Sequence, residues 1–211
     1  MTMERLTSYL AQLINSGSRV QVVVDSTLRD ASGNEAIKTV ATASAINEIT
    51  LTNAATGGSP TIGASGDSTN VGLILAAKGT AGIVADSPFA QKRTVTTNTT
   101  ASNQTYTAAQ IAGGIILRDP NGAARTDTTD TAANILAQFL GAKVGSSFML
   151  AVRNNADAAE TITIAGGTGV TLSGTGTINQ NFTKLFMGVF TNVGSGTEAL
   201  TLYSLGNLQH S

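Results

Sequence analysis

The chain contains no cysteine and no tryptophan, and only one histidine, His210, next to its end. Without cysteine, disulfides and thiolate metal sites are excluded, so stability must come from packing and association. With one imidazole and no thiol, a zinc centre has too few ligands. A Ser-His-Asp relay needs an imidazole held rigidly by a third group, and the end of a chain is a poor place to hold one. Charge is scarce as well: Asp, Glu, Lys and Arg make up 12% of the 211 residues, about half the usual share. Net charge is −1 and no basic block is present, which argues against sequence-independent nucleic-acid binding. Aromatics are 4%, few for the stacking surfaces of a sugar cleft. Met1 to Ser16 lacks the basic and continuous apolar regions of a secretory signal. The longest apolar stretches, such as Val71 to Ala77, are too short to span a bilayer.

What fills the composition is Ala, Thr, Gly, Ser and Asn, with 41% hydrophobic residues. That is enough apolar material for a core. Thr suits strands, and Gly and Asn suit turns, so the expectation is a mainly β protein. Leu6, Tyr9, Leu10, Leu13 and Ile14 fall at helical spacing before Gly17 and predict a short amphipathic helix from Thr2 to Ser16. Its apolar stripe is read as a contact with a partner subunit or with the same fold. Val20, Val22 and Val24 alternate as a strand, and Ile37 to Ala43 and Glu48 to Thr52 read as two more. Asn53 to Asp67 is a Gly/Ser/Thr/Ala stretch. Asn70 to Lys78 and Gly79 to Val84 are expected to form two short strands joined by a Gly-Thr turn.

A boundary is placed near Ser87 to Lys92. It divides an N-terminal anchoring and assembly region, residues 1–90, from a C-terminal β-sandwich domain, residues 91–211. In the second region Arg93 to Thr100 reads as a Thr-rich strand. Thr107 to Gln110 carries the capping-box pattern. Ile115 to Leu117 is a short strand, and Asp119 to Gly122 is a turn. Ala132, Ile135, Leu136, Phe139 and Leu140 predict one helix over Thr128 to Leu140, capped by Asp127, Thr128 or Asp130 and stopped by Gly141. From Ser147 onward the pattern is β: Ser147 to Arg153, Thr161 to Ile164, Val170 to Leu172, Gly176 to Ile178, Phe182 to Thr191 and Ala199 to Tyr203. The resulting fold class is an N-terminal helix and short-stranded β region, followed by a jelly-roll-like β-sandwich with one inserted helix.

Candidate chemistry is thin. Asp119, Asp127 and Asp130 lie near Asn121, but the order of a calcium loop and its closing Glu are missing, so a turn and a helix cap account for them better. Ala165 to Gly169 has the glycines of a phosphate loop, but a strand follows where a helix is needed. No catalytic residue, metal ligand or cofactor is assigned, and an enzyme is not expected.

The stretches Pro60 to Gly63, Asn70 to Leu75 and Lys78 to Ile83 resemble a short Gly/Thr-rich segment of virion proteins of tailed bacteriophages. Ile116 to Arg125, Val152 to Ile162, Gly169 to Gly174 and Val189 to Val193 resemble a further virion module. The resemblance implies a capsid cement or decoration protein, or a related fibre protein. Its expected partners are the major capsid protein and further copies of itself, as a homotrimer, on the capsid surface. No nucleic acid and no membrane enter that reading. A short tail or head fibre that binds a host-cell receptor is the alternative, and a carbohydrate-active enzyme is a third.

Overall fold

The computed structural model describes residues 27–29, 32, 34–40 and 42–210. The predicted helix over Thr2 to Ser16, with Leu6, Tyr9, Leu10, Leu13 and Ile14, lies outside the described residues, as does the strand at Val20 to Val24. The chain divides into two compact units, Met1–Ser68 and Thr69–Ser211. The expected change of region near Ser87 to Lys92 falls inside the second unit.

In the first unit β1 (Thr27–Arg29) pairs antiparallel with β2 (Glu35–Lys38). Then β3 (Asn47–Thr52) pairs antiparallel with β4 (Thr61–Gly66). Strand β4 lies in the Gly/Ser/Thr/Ala stretch from Asn53 to Asp67, where the sequence pattern assigns no element. Its Thr-Ile-Gly-Ala-Ser-Gly carries little β signal, and pairing with β3 supplies what propensity does not.

The second unit is mainly β, with two sheets facing each other. One sheet has six strands in the order β11-β14-β13-β9-β7-β5, and the other has four in the order β12-β10-β8-β6. The strands are β5 (Thr94–Asn98), β6 (Thr105–Tyr106), β7 (Gly114–Arg118), β8 (Arg125–Thr129), β9 (Ser147–Asn154), β10 (Ile162–Ala165), β11 (Val170–Ser173), β12 (Thr177–Ile178), β13 (Phe182–Asn192) and β14 (Ala199–Gln209). From β5 to β12 each successive strand changes sheet, so the chain winds as a flattened coil. Strands β5, β7 and β9 are mutually parallel in the large sheet. Strands β6, β8 and β10 are mutually parallel in the small one. A jelly roll is built of antiparallel Greek keys. The sandwich is as expected, but parallel ladders replace that topology. The β13–β14 hairpin forms a long antiparallel ladder; β13 also pairs antiparallel with β9, and β14 pairs parallel with β11.

Two short helices cross between the sheets: α1 (Ala108–Gly113) and α2 (Ala132–Leu136). The capping box at Thr107 forms as its spacing predicts. Thr107 Oγ1 accepts from the Gln110 N–H, and Gln110 Oε1 accepts from the Thr107 N–H. Helix α1 ends at Gly114, whose φ of 86° lies in the left-handed region that glycine tolerates. Helix α2 is shorter than predicted and starts later. Its N-cap is Thr131, while Asp127 and Thr128 belong to β8. The backbone takes the strand there because Asp127 has a buried partner across the sandwich.

The core is the set of inward residues of both sheets. Strand β9 alternates Phe148, Leu150, Val152 and Asn154 inward, and β13 alternates Lys184, Phe186, Gly188 and Phe190. Ile162, Ile164 and Ile178 face them from the small sheet, and Tyr106, Ile111 and Ile135 close the ends. Each fully buried Leu, Ile, Val or Phe among them contributes about 1.5–3 kcal/mol as an upper bound. Phe139 stacks on Phe148 at 4.9 Å between ring centroids, with Phe190 edge-on to Phe139 at 5.7 Å.

Candidate assembly surface

The β3–β4 register decides what the hairpin shows. Leu51 faces Ile62 and Ile49 faces Ala64, so these four share one side. Glu48, Thr50 and Ser65 share the other, where Ser65 Oγ donates to Glu48 Oε1 at 2.8 Å and hydrogen-bonds to Thr50 Oγ1. One face is thus apolar and one polar, as in a hairpin laid on a core. Yet Leu51 is 71% exposed, and Ile49 and Ile62 are exposed to a similar degree. Neither outer edge of this two-stranded sheet is paired among the described residues. A lone hairpin is marginal in water. An open, Thr-rich edge with one carboxylate and no lysine is a template for another strand.

The same feature recurs at the start of the second unit. Residues 70–84 form no strands, contrary to expectation. The apolar pattern is there, but no strand of the unit takes it as a neighbour. Leu73, Ile74, Leu75, Ile83, Val84 and Phe89 are all exposed, Val84 at 87% and Phe89 at 83%. Ile74 rests on Gly141, where a Cβ would come within 2.8 Å of its Cδ1. Nearby, Leu136, Phe139, Leu140, Ala142, Val193 and Glu198 line a depression of about 300 Å³. Isolated exposed apolar residues need no explanation, but contiguous runs mark interaction surfaces.

The interior holds a polar network that sequence reading did not foresee. Asn98, Arg118 and Asn154 are in register at the C-terminal ends of the parallel strands β5, β7 and β9. Each holds the turn that carries the chain to the other sheet. Asn98 Oδ1 accepts from the Thr100 N–H. Asn154 Nδ2 donates to the carbonyls of Glu160 and Ile178, and its Oδ1 accepts from the Ala156 N–H. Arg118 pairs with Asp127 and donates to the carbonyls of Thr100, Ser102 and Asp119. Tyr106 donates its hydroxyl to Asp127 Oδ2 at 2.6 Å. Burial, and then the Asp127 carboxylate, push the Tyr106 hydroxyl pKa far above its ordinary value. This ring is a locked donor, with no solvent-facing reactive edge. The signal in the sequence was the repeat of an alternating apolar strand ending in Arg118-Asp119 and again in Asn154-Asn155, legible only with the register in hand.

The other singled-out residues are accounted for separately. Asp119 Oδ1 accepts from the Asn121 N–H in a turn. Asp130 accepts from the Ala108 and Thr131 N–H groups and from Asn134 Nδ2, and these donors, Asn134 first, lower its pKa. The Gly166 to Gly169 segment is a turn into β11, as expected. His210 is tied down rather than frayed: its N–H donates to the Asn181 carbonyl, and its ring lies 3.4 Å from Thr183 Oγ1. No helix among the described residues is long and apolar enough to cross a membrane. No family model, curated protein or solved structure matches the chain.

Proposed function

We propose that this chain is a structural subunit of a bacteriophage particle, a cement or decoration protein that self-associates, as a homotrimer, and binds the capsid surface. The observation that carries the self-association is the hairpin face of Ile49, Leu51, Ile62 and Ala64, patterned for burial and exposed in the single chain. A face of that kind is favoured when every molecule meets its partner, as in a permanent assembly. The low charge of the chain points the same way, since charge is depleted at the centre of interfaces. The assignment to a virion rests on the resemblance of residues 60 to 205 to phage virion modules. On a shell, repetition of a modest contact multiplies its effect.

The test is binding of the purified chain to empty capsids, followed by electron microscopy of the decorated shells. Regular added density on the head, displaced by excess untagged chain, is the expected result. Failure to bind shells, or density confined to the tail tip, overturns the capsid reading.

A further inference from the structure

We propose that Asn121 is a self-modification site, at which the Gly122 backbone nitrogen closes on the Asn121 side-chain amide and the residue is converted to aspartate and isoaspartate. The inference is independent of the assembly reading. Asn121 is the one asparagine of the chain that a glycine follows. A cyclic imide forms when the nitrogen of the next residue attacks Cγ. A side chain on that next residue obstructs the approach, and glycine has none and turns freely about its φ.

The turn between β7 and β8 is braced up to Asn121 and open beyond it. The Asp119 N–H donates to the Asn98 carbonyl at 2.9 Å, and the Asp119 carbonyl accepts from Arg118. The Pro120 carbonyl accepts from Arg125 Nε at 3.2 Å, and the Asn121 N–H donates to Asp119 Oδ1 at 2.9 Å. The attacking group has no such tie. No acceptor for the Gly122 N–H occurs among the described residues, and a Cβ on Gly122 would meet no atom within 4 Å. Residues 121–124 are exposed to water. The Asn121 amide is held by one bond, from Nδ2 to the Thr99 carbonyl at 3.3 Å, which is long for an N–H···O contact. In the reaction the bond from Gly122 N to Asn121 Cγ forms and the Cγ–Nδ2 bond breaks. The proton of Gly122 N leaves with Nδ2 as ammonia. Water then opens the imide at either carbonyl, giving aspartate or isoaspartate, and the backbone of the latter runs through Cβ and is one carbon longer. Either product sets a second carboxylate beside Asp119 and removes the donor to the Thr99 carbonyl. The strap that carries the chain from Arg118 in the large sheet to Arg125 in the small one is thereby altered.

The experiment is incubation of the folded full chain in warm, mildly alkaline buffer, sampled over weeks by tryptic peptide mass mapping and ion exchange. Trypsin releases residues 119–125, in which Asn121 is the one side-chain amide. The expected result is conversion of that peptide, absent at the start, into two acid forms with isoaspartate in excess, and a matching acidic species of the intact chain. Asn121→Gly keeps the turn, since glycine accepts the φ of 51° found there, and should lose that species. A 119–125 peptide that keeps its amide throughout overturns the proposal. So does conversion to aspartate alone, which is direct hydrolysis without backbone attack, or an acidic species that forms at the native rate in Asn121→Gly.

Discussion

Arg118 Nε donates to Asp127 Oδ2 at 2.8 Å, and both side chains are fully excluded from solvent. Arg118 ends β7 in the large sheet and Asp127 lies in β8 of the small one, so the pair bolts the two layers together. All five guanidinium N–H groups meet an acceptor. The Gln104 N–H and the Tyr106 hydroxyl also donate to Asp127. Such a pair adds little over a well-packed apolar substitute, but removing one partner strands the other. Arg118→Met and Asp127→Asn should each cost about 3–5 kcal/mol in urea unfolding. Tyr106→Phe, which loses one hydrogen bond to a charged acceptor, should cost about 1.5–3 kcal/mol. Arg118→Met combined with Asp127→Asn should cost less than the sum of the two single changes. Strict additivity would show that the residues do not act as a unit.

Gly188 is a packing requirement rather than a turn. It sits opposite Phe148 in the β9–β13 ladder, and a Cβ there would lie 2.4 Å from the Phe148 ring. That ring is held by Phe139 and Phe190 and cannot move aside cheaply. Gly188→Ala should destabilise by about 1–3 kcal/mol. Chemical denaturation measures it, and near-ultraviolet circular dichroism should report the displaced ring. A neutral result would mean that the ring has a second place to go.

Two groups give pH dependences of opposite origin. Lys184 is buried with its Nζ donating to the Thr175 carbonyl at 2.8 Å, and desolvation lowers its pKa below the ordinary 10.5. Between the folded and unfolded values the unfolded chain binds more protons, so stability rises with pH through that window. Lys184→Met should remove this rise and be more stable than the native chain at neutral pH, measured by urea unfolding at neutral and alkaline pH. Asp130 is the acid counterpart, with its pKa lowered by its donors. Its contribution is complete above the ordinary carboxylate value and is lost as pH falls through the lower folded value. Asp130→Asn should flatten that acid limb.

The difference between what was and was not legible in the sequence follows from where each residue finds its partner. Strand β9 announces itself because Phe148, Leu150 and Val152 are apolar at period two, and β13 because it is a long run rich in aromatic and aliphatic residues. Helix α1 does so because a capping box is local. Strand β8, Arg-Thr-Asp-Thr-Thr, is opaque because its inward residues are Asp127 and Thr129, and Asp127 is satisfied by Arg118 and Tyr106 on other strands and by the Gln104 N–H. The parallel coil was hidden for the same reason: register among β5, β7 and β9 is set by long-range contacts. Residues 70–84 mislead in the opposite direction, since an apolar pattern reads as a strand whether or not the same chain supplies its neighbour.

The most direct test of the account is the mass of the chain in solution, by light scattering during size-exclusion chromatography, for the native chain and for Leu51→Lys with Ile62→Lys. The account predicts a native species of three 21.3 kDa chains that persists on dilution, and dissociation or aggregation-free monomer in the double variant with the sandwich still folded. A native chain that runs as a stable, soluble monomer would contradict it.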